Sequence, residues 1–185
     1  SGLRQAELLG LRWRDIDLDL QSISVCQVLY KHRGICEFKE PKTSHSKRRV
    51  SMTAKLADYL SEYKGERESL SLHLGHLLKP DDLVFSNTEG DPIDPSVLSH
   101  TFAKIIKRAG LKNVRFHDLR HTFASLMLLC GAKPKVISEA LGHASVAFTM
   151  DTYSHIIEGM QSEAMALLDE VLPPGKIKAE NQGEK

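Results

Sequence analysis

Apolar residues change their period twice along this chain, from a short helical face to a β-rich stretch and back to helical spacing near residue 53. Before that point, Leu3, Leu8, Leu9 and Leu11 read as an apolar helical face already under way, with Arg4 and Glu7 at i,i+3 and able to pair. A free-standing domain rarely begins inside such a pattern, so an excised fragment is expected. Residues 22–30 (Ser-Ile-Ser-Val-Cys-Gln-Val-Leu-Tyr) are rich in β-branched side chains and predict one strand. Gly34 turns the chain into a second strand near 35–39, and 48–52 supplies a third. The expectation is a small antiparallel sheet joined by basic hairpins.

Helical spacing follows. Leu56, Tyr59, Leu60 and Tyr63 recur at i, i+3, i+4 and i+7, with Thr53 as N-cap. The stretch 65–82 is less regular and ends in Pro80-Asp81-Asp82. Asp94-Pro95 supplies a cap and a first-turn proline for a helix carrying Leu98, Phe102, Ile105, Ile106 and Ala109, closed by Gly110. A helix over about 117–130 is predicted to use Leu119, Phe123 and Leu126 as its core stripe, with Gly131 as its stop. A shorter one over 134–141 ends at Gly142, and Ser145 caps the next segment, which carries Tyr153. Ile157, Met160, Ala164, Leu167, Leu168 and Val171 predict a last helix, ended by Pro173-Pro174-Gly175. Residues 1–172 therefore read as one α+β, mainly helical domain, and 173–185 as a disordered polar tail.

Length and composition agree: 185 residues with 41% hydrophobic content suit one globular domain with a real core. No apolar run approaches the roughly 20 residues of a membrane span, and no secretory signal is visible. Cys26, Cys36 and Cys130 form no CxxC pair and leave one over, which points to a reduced, cytoplasmic setting. The net charge of +1 hides a segregation. Residues 31–49 hold seven Lys and Arg against two acids, residues 101–122 hold six against one, and residues 151–172 carry five acids with no Lys or Arg. Phosphate affinity depends on the local cationic face, because counterions are released only where Lys and Arg meet the backbone. Lys39, Lys42, Lys47, Arg48 and Arg49, with Lys104, Lys107 and Arg108, are the expected contacts to double-stranded DNA.

Six residues then fit one phosphate-handling centre: Arg4, Lys42, His117, Arg120, His143 and Tyr153. On a helix, His117, Arg120 and His121 share a face at i, i+3 and i+4. Two planar guanidinium forks, Arg4 and Arg120, can clamp the non-bridging oxygens of one phosphate. A phenol with a pKa of about 10 needs a base to become a nucleophile, and His117 is the candidate. Lys42, in Pro41-Lys42-Thr43-Ser44, is placed to protonate a departing 5′ oxygen. The product of tyrosine attack is a 3′-phosphotyrosine, which keeps the bond energy, and the chain has no GxxxxGK[ST] loop for ATP. Taken singly, each residue has an ordinary reading: Arg4 as a surface partner of Glu7, Lys42 as a turn lysine, His117, His121 and His143 as capping or core histidines, Tyr153 as an interface tyrosine. A zinc site from His117, His121 and His143 lacks a completing cysteine or acid at familiar spacing, so no metal or cofactor is expected.

The run His117-Asp118-Leu119-Arg120-His121, followed by Leu141-Gly142-His143 and a downstream Tyr153, resembles the motif set of the tyrosine recombinases of the phage integrase family. Gly2-Leu3-Arg4-Gln5-Ala6-Glu7-Leu8 resembles the block with the family's first catalytic arginine, which implies that role for Arg4 and a supporting one for Glu7, while the HxLRH run implies catalytic roles for His117 and the second arginine, Arg120, with His121 supporting and mainly structural. Pro41-Lys42-Thr43-Ser44 with Arg48-Arg49-Val50 resembles the family's β-hairpin block, the least specific of these matches, and implies a catalytic Lys42. His143 stands where the family has histidine or tryptophan, and Trp13-Arg14-Asp15-Ile16-Asp17 resembles its strand entry. The resemblance implies the family's catalytic-domain fold, with site-specific strand exchange for a bacterial mobile element as the activity. It further implies a homotetramer on DNA that exchanges C-terminal segments, here Ile157 to Val171. The family's usual N-terminal core-binding domain has no counterpart in these residues. A topoisomerase-like nicking and resealing enzyme, or a DNA-binding module without catalysis, are the competing readings.

Overall fold

A computed structural model describes residues 1–41, 43, 46–154, 156 and 165. Lys42, the segment Ile157 to Val171 and the tail 173–185 lie outside the described residues, apart from Met165.

The first helix, α1 (Gln5–Leu9), is short because Gly10 closes it, and Leu3 and Leu11 are buried from outside its ends. After a 3-10 turn at Trp13–Asp15, β1 (Ile16–Asp17), β2 (Ser22–Val25) and β5 (Arg48–Ser51) form one antiparallel sheet in the order β1-β2-β5. Strands β3 (Val28–His32) and β4 (Ile35–Lys39) form a separate hairpin. The single strand expected over 22–30 is thus two. Cys26 and Gln27 break it, where the Gln27 amide turns aside to donate to the Gly10 carbonyl at 2.8 Å.

Helix α2 (Ala54–His73), capped by Thr53, continues well past the point where the sequence loses its regular spacing. Its buried face is Ala57 and Leu60, while Tyr59 points outward at 67% exposure. Helix α3 (Pro95–Arg108) starts as its cap and proline dictate, with Asp94 accepting from the Ser96 amide at 2.8 Å. None of its residues is fully buried, however, and Ile105 of its expected stripe is exposed. Helices α4 (Asp118–Leu129), α5 (Pro134–Leu141) and α6 (Val146–Thr152) then pack together.

The rotation of α4 is the main departure from expectation. Leu119 and Leu126 face solvent at 46% and 56% exposure, and the buried face is Arg120, Ala124 and Leu128. A leucine can remain at the surface at modest cost, whereas Arg120 has carbonyl partners waiting inside that no other position on α4 would meet.

Two apolar clusters result. One joins Leu3, Leu11, Trp13 and Val84 to the faces of β2, β5 and α2. The other holds Ala124, Leu128, Ile137, Leu141 and Tyr153, beside Phe123, Met127 and Ile156. Helix α5 lies between them, touching α4, α6 and β5.

Candidate active site

Three guanidinium groups meet at the C-terminal end of α5, each on a different carbonyl. Arg48 Nε donates to Ala140 O at 2.7 Å, Arg120 Nη2 to Leu141 O at 2.5 Å, and Arg4 Nη2 to Gly142 O at 3.2 Å. The last carbonyls of a helix have no partner within it and carry the negative end of its dipole, so this end suits cations. Gly142 bends the chain away with φ of 65°, a left-handed conformation open to glycine, and so leaves these oxygens accessible to side chains.

Arg120 is 5% exposed and also donates from Nη1 to Gly2 O at 2.6 Å. Gly2 has a φ of 66°, and a Cβ there would stand 2.5 Å from the Phe123 ring, so only glycine brings this carbonyl in so close. Burial, with the nearby charge of Arg4, lowers the Arg120 pKa to about 10. It remains cationic at neutral pH.

Arg4 caps α1 from the other side of the same cluster. Its Nη1 donates to Glu7 Oε1 at 2.8 Å and its backbone N–H to Glu7 Oε2 at 2.7 Å. Glu7 is only 3% exposed and takes two further bonds from Arg48, both at 2.9 Å. Burial alone would raise the Glu7 pKa, but the hydrogen bonds and charge of Arg48, with those of Arg4, leave it net lowered. The carboxylate is therefore ionised at neutral pH, an anion between two cations.

His143 follows Gly142 directly. Its Nδ1 lies 2.8 Å from Thr149 Oγ1, and Phe148 packs edge-on against its ring. Burial, then the charges of Arg120, Arg4 and Arg48, push its pKa down to about 4, so the imidazole is neutral at pH 7. Tyr153 ends α6 at 3% exposure, and its hydroxyl shares a 3.0 Å hydrogen bond with His121 Nδ1. Burial raises its pKa, which the charge of Arg120 partly offsets. His117 stands at the exposed N-cap of α4, its ring 5.2 Å from that of His121. Burial, with the charges of His121 and Arg120, lowers its pKa.

The structure thus gathers Arg4, Glu7, Arg120 and His143 at one helix end and places His121 against Tyr153. His117 touches His121, not the tyrosine hydroxyl. Among the residues expected to contact DNA, Lys104, Lys107 and Arg108 are exposed on α3, without ion-pair partners among the described residues. Lys39, Lys47 and Arg49 are exposed and paired with Glu37, Glu40 and Asp17. Arg48 stands apart from that set: its side chain is 6% exposed, and its guanidinium is taken up by Glu7, Ala140 O and Ser46 O. The signal was present in the strand period. Arg48 and Val50 are at i,i+2, so they share the inward face of β5. The pairing of His143 with Thr149 had no comparable signal.

Residues 1–159 match the profile of the "Phage integrase family". A "Tyrosine recombinase XerC-like" protein of Caldanaerobacter subterraneus subsp. tengcongensis is 33% identical over 183 residues, covering 92% of this chain and 47% of that protein. The "ICEBs1 integrase" of Bacillus subtilis is 34% identical over 172 residues, covering 93% of this chain and 46% of that protein. The chain spans about half the length of the curated relatives it matches. Among solved structures, the Tn1549 transposon integrase in complex with a circular intermediate DNA superposes with a TM-score of 0.73 at 23% identity, over 90% of this chain and 55% of that one. That likeness establishes the fold as the α and β mixture of recombinase catalytic domains.

Proposed function

Because this chain belongs to the phage integrase family, we propose that it is the catalytic part of a site-specific recombinase that cuts and rejoins double-stranded DNA for a mobile element. The observation that carries this reading is the convergence of Arg4, Arg120 and His143 on one helix end, with the Tyr153 hydroxyl held by the residue next to Arg120.

Arg4 and Arg120 hold the non-bridging oxygens of the scissile phosphate and neutralise the charge that builds in the pentavalent transition state, a contribution on the order of 3–4 kcal/mol per well-placed donor. His143, neutral, adds a hydrogen-bond donor to the same phosphate without adding charge. The phenolic oxygen of Tyr153 forms a bond to phosphorus as the bond to the 5′ oxygen breaks. His121 Nδ1 takes the phenol proton, with the ring's own proton on Nε2, and His117 stands next to it as a relay to solvent. The leaving 5′ oxygen receives its proton from Lys42. The 3′-phosphotyrosine is then attacked by a 5′ hydroxyl of the partner strand, which reverses each step and restores the phenol.

Once His121 has taken the proton, Tyr153, 3% exposed, turns out of its buried position toward the phosphate. We assign that movement to assembly of a homotetramer on DNA through exchange of the segment Ile157 to Val171. The DNA lies across the exposed cations of α3 and the β4–β5 region. A recombinase of this family acts where its DNA is, so we place the protein with DNA in the cytoplasm; among the described residues no helix is long and apolar enough to cross a membrane.

The test is a suicide-substrate assay: the chain is mixed with a library of nicked duplexes carrying candidate element ends, and denaturation-resistant adducts are sequenced. The expected result is a covalent adduct mapping to Tyr153, lost in Tyr153→Phe while DNA binding persists. An adduct that survives in Tyr153→Phe would overturn the assignment of the nucleophile. Binding without any adduct from the wild-type chain would favour a DNA-binding module.

A further inference from the structure

We infer that Arg48 is a positioning residue for strand cleavage, fixing the phosphate-binding arginines through Glu7 and the end of α5, and is not itself a DNA contact. The inference rests on the recombinase reading above.

Arg48 spends its fork inward. Its two Nη groups meet the two oxygens of Glu7, both at 2.9 Å, while Nε reaches Ala140 O and Nη1 also reaches Ser46 O at 3.2 Å. Each contact has a consequence. Holding both Glu7 oxygens from one side fixes the carboxylate for Arg4, whose side chain and backbone N–H bind those oxygens from the other. Bonding Ala140 O ties β5 to the helix end whose next two carbonyls hold Arg120 and Arg4. The Ser46 contact keeps the guanidinium turned back over the entry to β5. One guanidinium thereby ties β5 to the start of α1 and to the end of α5, the two places that seat Arg4 and Arg120.

A role as a phosphate contact conflicts with this geometry. Turning Arg48 outward would leave Glu7, 2% exposed at its side chain, with a single cationic partner inside the protein. Removing one partner of a buried ion pair is strongly unfavourable because the remaining charge loses its compensation. Lysine would preserve the charge but cannot bridge two carboxylate oxygens and a carbonyl at once.

The experiment compares the wild-type chain with Arg48→Lys, using single-turnover cleavage of a trapped nicked duplex at saturating DNA and a binding titration across salt. A positioning role predicts a cleavage rate lower by roughly 10- to 100-fold, since small misplacements of catalytic groups cost up to about 10²-fold. Affinity should change by less than about 2-fold, and the salt slope should stay constant even in Arg48→Met, which removes the charge, whereas loss of one phosphate contact would flatten that slope by about 0.9. Glu7→Gln should slow cleavage as well, and combining it with Arg48→Lys should add less than the product of the single effects.

A flattened slope with weakened binding would overturn the inference, as would an unchanged cleavage rate. Thermal melts accompany each variant, with Arg48→Met as a second replacement. If both replacements are unfolded at the assay temperature, Arg48 only holds the fold and the inference is overturned. If the wild-type chain forms no adduct, the recombinase reading fails and takes the inference with it. A normal wild-type adduct with a normal Arg48→Lys rate sinks the inference alone.

Discussion

The two apolar clusters of this domain differ in what they contain. The one built on β2, β5 and α2 is assembled from aliphatic side chains around Trp13, and none of its members belongs to the proposed chemistry. The one built on α4 and α5 includes Tyr153, the proposed nucleophile, as a packed member. The first cluster backs the group that must stay still: Arg4, Glu7 and Arg48 hang from α1 and β5 at its edge. In the proposed reaction the second surrenders a buried aromatic ring at each attack. Gripping a phosphate and delivering a nucleophile make opposite demands on rigidity, and under the proposed chemistry the fold divides them only in part: Arg4 hangs at the edge of one cluster and Tyr153 packs in the other, while Arg120 grips from α4 beside the tyrosine.

This contrast can be broken experimentally. Leu128 is 1% exposed in the smaller cluster, and Leu128→Ala should cost about 2–5 kcal/mol. The loss should register in denaturant unfolding. Amide exchange should accelerate first in α4, α5 and α6, with β2 and β5 still protected. Uniform acceleration across both clusters would show that they open as one and that the division is not real.

A smaller effect is expected from Gly142→Ala. Its positive φ makes a side chain unfavourable by about 1–2 kcal/mol, a modest loss of melting temperature. The larger consequence should fall on cleavage, because the carbonyls that hold Arg4 and Arg120 move with this residue. A cleavage rate that drops no further than the folded fraction would remove the helix end from the catalytic arrangement.

The subtlest measurement concerns His143. Its pKa near 4 lies below the ordinary histidine value of about 6.5, so the folded protein prefers the neutral ring. Protonation therefore works against folding. The stability it contributes is complete above about pH 6.5 and is lost as the pH falls toward 4. An NMR titration of the His143 ring should give a midpoint near 4. A midpoint near 6.5 would mean that neither burial nor the surrounding arginines bear on this ring.

Much was legible in the residues alone. Thr53, Asp94 and Ser145 are caps because a side-chain oxygen reaching an orphan amide is a local event, and Gly142 ends α5 for an equally local reason. The segments carrying Arg4, Arg120, His143 and Tyr153 could be picked out in the same way, since residue type and spacing mark them. Other features were decided by partners distant in sequence. The strand over 22–30 breaks because Gln27 finds the Gly10 carbonyl. Helix α4 turns its arginine inward and its leucines outward because Gly2 and Leu141 offer carbonyls there. Arg48 becomes a strut because Glu7, far back in the chain, is buried beside it. Local spacing fixes which side chains share a face, since that follows from backbone geometry. Which face turns inward, and whether a given cation meets DNA or a buried carboxylate, depends on desolvation and on partners that only the folded chain brings together.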